Sequence, residues 1–285
     1  MRKLLIVLLL ICLHLNAVHG QFVSKDSLNR ILEQALQDDQ KYRLALGSVS
    51  FDVGPESPYM AILQKMTLQD QENRKIVFPV IDMIRTYNID SLSDEAYRGC
   101  YLVVQHAEGS DQLRYAGFIS WLHRLHKISN TEFIWFTDRL HVRQQKAQGY
   151  GLQSTQFESG DIMLYPLAAG YTQKWEEIGE EIPVSLWRNF TKEYAPVILQ
   201  AGEFLIFGHI KIGDKKGMAG LEKSVVIQFD NLPPVSPNEN GFYLIKTVKN
   251  NIPASVRISY EGKEINAQIT AEKEWDFINL TYQFN

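Results

Sequence analysis

The chain predicts a multidomain α-then-β protein, an N-terminal α-helical domain followed by a small antiparallel β-sandwich, because its hydrophobic period changes near residue 196. Upstream, apolar residues recur at spacings of three and four, as on one face of a helix. Downstream they alternate, and clusters of Gly, Pro and Asn cut the alternation into short segments. A third observation sets off the start: Arg2 and Lys3 precede a nearly unbroken apolar run from Leu4 to Leu15, with small residues Val18 and Gly20 before Gln21.

That opening reads as a secretory signal peptide cleaved near Gly20, so the mature protein is expected to be exported, to the periplasm or beyond. A membrane anchor fits less well, since a span needs about twenty apolar residues and His14 and Asn16 interrupt this run. Lipid attachment at Cys12 wants a small residue before the cysteine, and Ile11 stands there. Removing Arg2 and Lys3 leaves 27 basic against 33 acidic side chains. A net negative chain is a poor electrostatic partner for nucleic acid or anionic lipid. Cys100 is the one cysteine left, which excludes an intramolecular disulfide and leaves stability to burial. It sits in an apolar run and reads as a small buried hydrophobe.

In the helical part, residues 21–195, the stretch Leu28, Ile31, Leu32, Ala35, Leu36 opens the pattern behind Ser27 as a candidate cap. Tyr59 to Tyr87 repeats it, with Pro79 expected to kink or split the segment. Tyr97 to Ala107, Leu113 to His126 and Glu132 to Val142 follow, separated at Gly109-Ser110 and at Ser129-Asn130, where either residue of the second pair can cap. Residues 148–170 read as a glycine-rich loop, followed by short helices around Trp175 to Gly179 and Val184 to Phe190. In residues 196–285 the alternation marks six or seven short strands, at Phe204 to Ile212, Ser224 to Phe229, Gly241 to Lys246, Ala254 to Tyr260, Glu264 to Thr270 and Asp276 to Phe284.

Several polar motifs interrupt the helices. Asp39, Gln40 and Arg43 lie on one helical face; Gln105, His106, Ala107 and Glu108 close the Tyr97 helix; Asp138 and Arg139 are adjacent; Gln148, Tyr150, Gly151 and Gln153 punctuate the loop. With Asp70 and Asn73 between the first two, this order resembles an uncharacterised bacterial domain-of-unknown-function family over residues 27–190. The chain departs from that pattern at Glu108, Asn88 and Leu152, where the family usually has Asp, Gly and Thr. The C-terminal part is similar to carboxypeptidase-regulatory-like, transthyretin-type sandwiches. The matching residues are Gly208 and Ile210, Asp214 to Gly220, Val225 to Ile227 and Glu239 to Tyr243, and the resemblance implies an accessory scaffold whose Asn240-Gly241 step turns one strand into the next.

A histidine titrates near neutrality and can act as general base or acid. The candidate catalytic pair is therefore His106 with Asp138, the carboxylate orienting either the imidazole or the loop. Arg139 is placed to bind a carboxylate or phosphate in bidentate fashion. Asp39, Arg43, Gln105, Gln148, Tyr150 and Gln153 complete a candidate ligand set, with the loop as lid. The plainer reading of Asp39 with Arg43, and of Asp70 with Asn73 and Arg74, is ion pairing that ties helices together. His123, His126 and His141 lack the spacing of a metal motif and read as surface or interface residues; neither metal nor cofactor is expected. Asn189 and Asn279 match a glycosylation pattern that matters only in a eukaryotic secretory host. The chemistry expected is ligand binding, of a small molecule or peptide, with a hydrolase based on His106 or a purely structural interaction protein as rivals. A protein partner could meet the sandwich.

Overall fold

The computed structural model describes residues 24–50, 54, 56–87, 89–157, 162–179, 181, 195–213, 224–269 and 276–284. The signal-peptide segment, the short helix expected at Val184 to Phe190 and the Asp214 to Gly220 turn lie outside these residues. The chain is helical first and β-rich afterwards, and it divides into two compact units, residues 1–133 and 134–285. The compact units therefore part inside a helix, rather than at the change of period near residue 196.

In the first unit, α1 (Lys25–Leu46) starts one turn earlier than its apolar pattern suggests. Ser24, not Ser27, is the cap: its hydroxyl accepts the Ser27 N–H. α2 (Pro58–Tyr87) runs through Pro79 as one helix. The lost backbone hydrogen bond is offset by burial on both sides of the proline, at Val77, Val80, Ile81 and Ile84. α3 (Asp94–Gln105) is capped by Ser93, whose hydroxyl accepts the Ala96 N–H and donates to Glu33 of α1 at 2.6 Å. Gly99 allows α3 to lie directly on α1: a Cβ there would overlap the Leu32 carbonyl oxygen. α4 (Gly109–Arg124) adds Tyr115, Phe118, Ile119 and Leu122 to the same core. α5 (Asn130–Arg143) begins with a capping box, in which the Ser129 hydroxyl accepts the Glu132 N–H and the Glu132 carboxylate accepts the Ser129 N–H. Cys100 is fully buried and burial pushes its thiol far up, as expected of a structural cysteine.

The second unit holds two three-stranded sheets. One has the order β10–β5–β7 (Phe277–Phe284, Glu203–Ile212, Phe242–Val248) and the other β6–β8–β9 (Val225–Phe229, Ser255–Tyr260, Lys263–Gln268). Strands occupy all six ranges expected from alternation, within a few residues. The pairing is not wholly antiparallel, because β10 runs parallel to β5. Phe204, Ile206 and Ile210 of β5 share one apolar cluster with Val225 and Ile227 of β6 and Ile258 of β8, so the sheets bury a common face. At Gly208 a side chain would overlap the Leu280 carbonyl, and that space lets Tyr243 donate its hydroxyl hydrogen to the same carbonyl at 3.0 Å. Gly241 has φ +81°, which glycine adopts without strain, and closes the Asn238–Gly241 turn into β7.

β5 is buried on its other face too. Leu205 and Phe207 pack with Phe242 and Phe277 against Ala147, Met163 and Leu199. This second cluster joins residues 142–168 to the sheets, so the segment expected to be loop is built into the β core. It carries three short strands, β1 (Ser154–Gln156), β2 (Ile162–Leu164) and β3 (Leu167–Ala168); β3 pairs with β4 (Ile198–Leu199), and α6 (Tyr171–Glu177) follows β3. No helix among the described residues is long and apolar enough to cross a membrane.

Candidate functional site

The polar motif residues assemble as two clusters, one in each unit. In the first unit, α1 supplies Asp39, whose side chain is 1% exposed, and α3 ends at Gln105 so that His106 occupies its C-cap. His106 Nδ1 lies 2.9 Å from Asp39 Oδ1. With Nδ1 protonated and donating to the carboxylate, Nε2 carries the lone pair. The imidazole stays about one-fifth exposed.

The other Asp39 contacts come from Gln40, at 2.8 Å to Oδ2, and from Arg43, at 3.2 Å to Oδ1. Arg43 also clamps Asp70 of α2 through two bonds of 3.0 and 2.9 Å. Asp70 was expected to reach Asn73 and Arg74 along its own helix. It instead takes the guanidinium of Arg43, because a bidentate pair is stronger than a side-on helical neighbour. Asn73, itself buried, accepts from Gln69 at 2.9 Å, and Arg74 pairs with Glu108 at 2.9 Å. Three helices thus meet on one polar chain: His106, Asp39, Arg43 and Asp70. Gln105 is buried, and its carbonyl accepts the Gln112 side chain at 2.7 Å, so it is built into the helix junction.

In the second unit Asp138 is fully buried and its two oxygens are taken by loop amides: Gly149 at 2.8 Å, Tyr150 at 3.0 and 3.2 Å, and Leu152 at 3.0 Å. Burial pushes its carboxyl up to about 6, while these N–H groups pull the other way. Of the two roles expected for Asp138, orienting the loop is the one the geometry displays. The catalytic part has no open oxygen to serve it, and the carboxylate that orients His106 is Asp39.

The loop is anchored rather than lid-like. Gln148 is fully buried and all its side-chain bonds stay within the unit: its amide donates to the Gln153 carbonyl at 2.9 Å and the Tyr165 carbonyl at 2.7 Å, and accepts the Gln153 N–H at 2.8 Å. Gly151, at φ +79°, makes the left-handed turn that lets successive amides converge on Asp138. Among the described residues, the Gln153 side chain reaches the Leu152 carbonyl, at 3.3 Å. The Tyr150 ring meets Trp175 edge-on with centroids 5.6 Å apart, and its carbonyl accepts the Trp175 indole N–H at 2.9 Å. Arg139 is half-buried. Trp175 and Lys174 belong to this cluster but to no motif; α6 positions them, and nothing in their local pattern links them to a loop 25 residues earlier.

Two shallow clefts in the first unit, of about 440 and 510 Å³, are lined by Asp82, Arg85, Thr86 and Arg114 and by residues including Asp94, Arg98, Lys127 and Glu132. Neither contains a candidate residue. His123 bonds Asn130 at 2.9 Å and stacks on Phe133, and no group of three His, Cys, Asp or Glu side chains that could hold a metal occurs among the described residues. No family model matches the chain, and a search of curated proteins finds no match either.

Proposed function

We propose that this is an exported protein whose helical unit binds a small or peptidic ligand at His106, with the β-sheets as an accessory module. The observation that carries the reading is the 2.9 Å contact between His106 Nδ1 and the buried Asp39 carboxylate. A carboxylate withheld from water holds the imidazole in one orientation and tautomer, leaving Nε2 to accept a hydrogen bond from a ligand hydroxyl, amine or amide. The signal-like residues 1–20 support export. Attaching the ligand to His106 centres the reading on Asp39, Arg43 and the imidazole, with Asp138 and Gln148 as supports of the loop.

The test is a thermal-shift screen of small polar compounds and short peptides on the mature chain, repeated on His106→Ala and Asp39→Asn. A ligand that stabilises the wild type and neither variant is the expected result. A screen in which every stabilising compound acts equally on His106→Ala overturns it. The rival is a hydrolase, favoured by the same geometry, since an Asp-oriented imidazole is the form a general base takes. No nucleophile adjoins His106 among the contacts described, so this version requires water as the attacking group. Turnover of an ester or amide panel that is lost in His106→Ala while binding survives would establish it.

A further inference from the structure

We propose that Arg85 and Arg114 form an oxyanion-binding site on the first unit, one that takes the carboxylate or phosphate group of a small ligand. Both line the shallow cleft of about 440 Å³ whose other walls are Asp82 and Thr86. α2 supplies Asp82, Arg85 and Thr86, and α4 supplies Arg114. Asp82 and Arg85 stand three residues apart, which makes them neighbours on one face of α2, about 5–6 Å apart at Cβ. Arg114 reaches across from α4, with Nη2 2.7 Å from Asp82 Oδ2. Two guanidinium groups from different helices therefore border one cleft and one carboxylate.

The carboxylate orients rather than fills the site. Asp82 Oδ2 accepts from Arg114 Nη2 and, at 3.3 Å, from the hydroxyl of Tyr115. The Arg114 guanidinium also lies over the Tyr115 ring, 4.9 Å from its centre, and that ring is part of the buried core. Carboxylate and ring together fix the plane of the guanidinium. A guanidinium carries five N–H donors in a rigid fork, and the bond to Asp82 uses Nη2, so donors remain for a second acceptor. The Arg114 side chain is 58% exposed and Arg85 is exposed too, so a solute can reach both. Thr86 donates its hydroxyl hydrogen to the Asp82 carbonyl at 2.7 Å, which leaves recognition to the arginines. Two positive groups against one negative give these four residues a net charge of about +1, and the C-terminal end of α2, worth roughly half a negative charge, lowers this bias without reversing it. A ligand oxyanion between the forks supplies the second counter-charge and matches their planar geometry. The cleft shares no residue with the polar chain of His106, so this site does not depend on that reading.

The experiment follows the Nε–H signals of Arg85 and Arg114 by NMR in the mature chain, assigned with Arg85→Gln and Arg114→Gln. The chain is titrated with inorganic phosphate, with acetate, and with sodium chloride at matched ionic strength. Saturable shifts with phosphate or acetate, absent with chloride, are expected, and the anion that saturates at the lower concentration distinguishes a phosphate from a carboxylate ligand. Each glutamine variant, checked for an otherwise unchanged amide spectrum, should weaken binding by on the order of tenfold, as the loss of one charge-assisted contact requires. Arg114→Lys keeps the charge without the planar fork and should weaken binding as well. Arg98→Gln, in the other cleft, and His106→Ala should leave the titration unaltered. Equal shifts with chloride, no saturation by either anion, unchanged affinity in both glutamine variants, or an equal loss in Arg98→Gln, the mark of diffuse attraction, would overturn the proposal.

Discussion

Replacing Asp138 by alanine removes the acceptor for three backbone N–H groups at once, those of Gly149, Tyr150 and Leu152. Stranding a buried donor costs about 1–3 kcal/mol, and three of them amount to about 3–6 kcal/mol once the loop relaxes and admits some water. The variant also no longer buries a charge. Burial pushes the Asp138 carboxyl up to about 6, against an ordinary value near 3.8. Keeping it ionised in the folded state at neutral pH therefore costs about 3 kcal/mol, at about 1.4 kcal/mol per unit of displacement.

The net loss in Asp138→Ala at pH 7.5 is thus about 0–3 kcal/mol, and it depends on pH with a definite sign. Between about 4 and 6 the folded wild type binds more protons than the unfolded chain, so its stability rises as pH falls through that window. The variant lacks this contribution, and the gap between the two should widen by about 2 kcal/mol from pH 7.5 to pH 4.5. Urea unfolding at both pH values measures the gap, and hydrogen exchange of a peptide spanning residues 148–153 localises it. A gap that is the same at both pH values, or loop amides that exchange no faster in the variant, would refute the reasoning.

Other substitutions probe the remaining junctions. Arg43→Ala leaves Asp39 and Asp70 without their shared cation; because Arg43 is itself 19% exposed, water softens the effect, and a loss of about 2–3 kcal/mol in chemical denaturation is expected. Gly208→Ala forces a Cβ into the Leu280 carbonyl; separation of β10 from β5 should lower stability by about 3 kcal/mol or more, read as a fall in melting temperature. Ser93→Ala deletes the α3 cap and its bond to Glu33, with a loss of about 1 kcal/mol, and Ser93→Asp, which keeps an acceptor for the Ala96 N–H, should recover part of it.

Sequence periodicity made the order of elements legible. The i, i+3, i+4 stripe of α1 and the alternation of β5 to β10 follow from where successive side chains must point, a property of the backbone alone. The Asn240-Gly241 turn was readable for the same reason, since few residues adopt its φ without strain. Boundaries were less secure: a cap such as Ser24 lies outside the apolar pattern it starts, and Pro79 passes through α2 because neighbouring burial outweighs one lost hydrogen bond.

The candidate residues were legible as polar interruptions of apolar helices, but their partners were not. Local spacing placed Asp70 beside Arg74, whereas Arg43, 27 residues away, holds it in a bidentate pair. The glycine-rich pattern at 148–153 suggested a mobile lid, and only the fold revealed that Asp138 and Gln148 anchor it. The alternation near residue 196 implied a boundary that the shared cluster of Ala147, Met163 and Phe207 crosses. From its residues alone this protein determines helix, strand and turn, because those depend on neighbours a few positions apart. Which carboxylate holds His106, which one holds the loop, and where one core ends were decided by tertiary packing, since a charge in a low-dielectric interior takes the partner that the fold brings within bonding distance, however far away it lies in the chain.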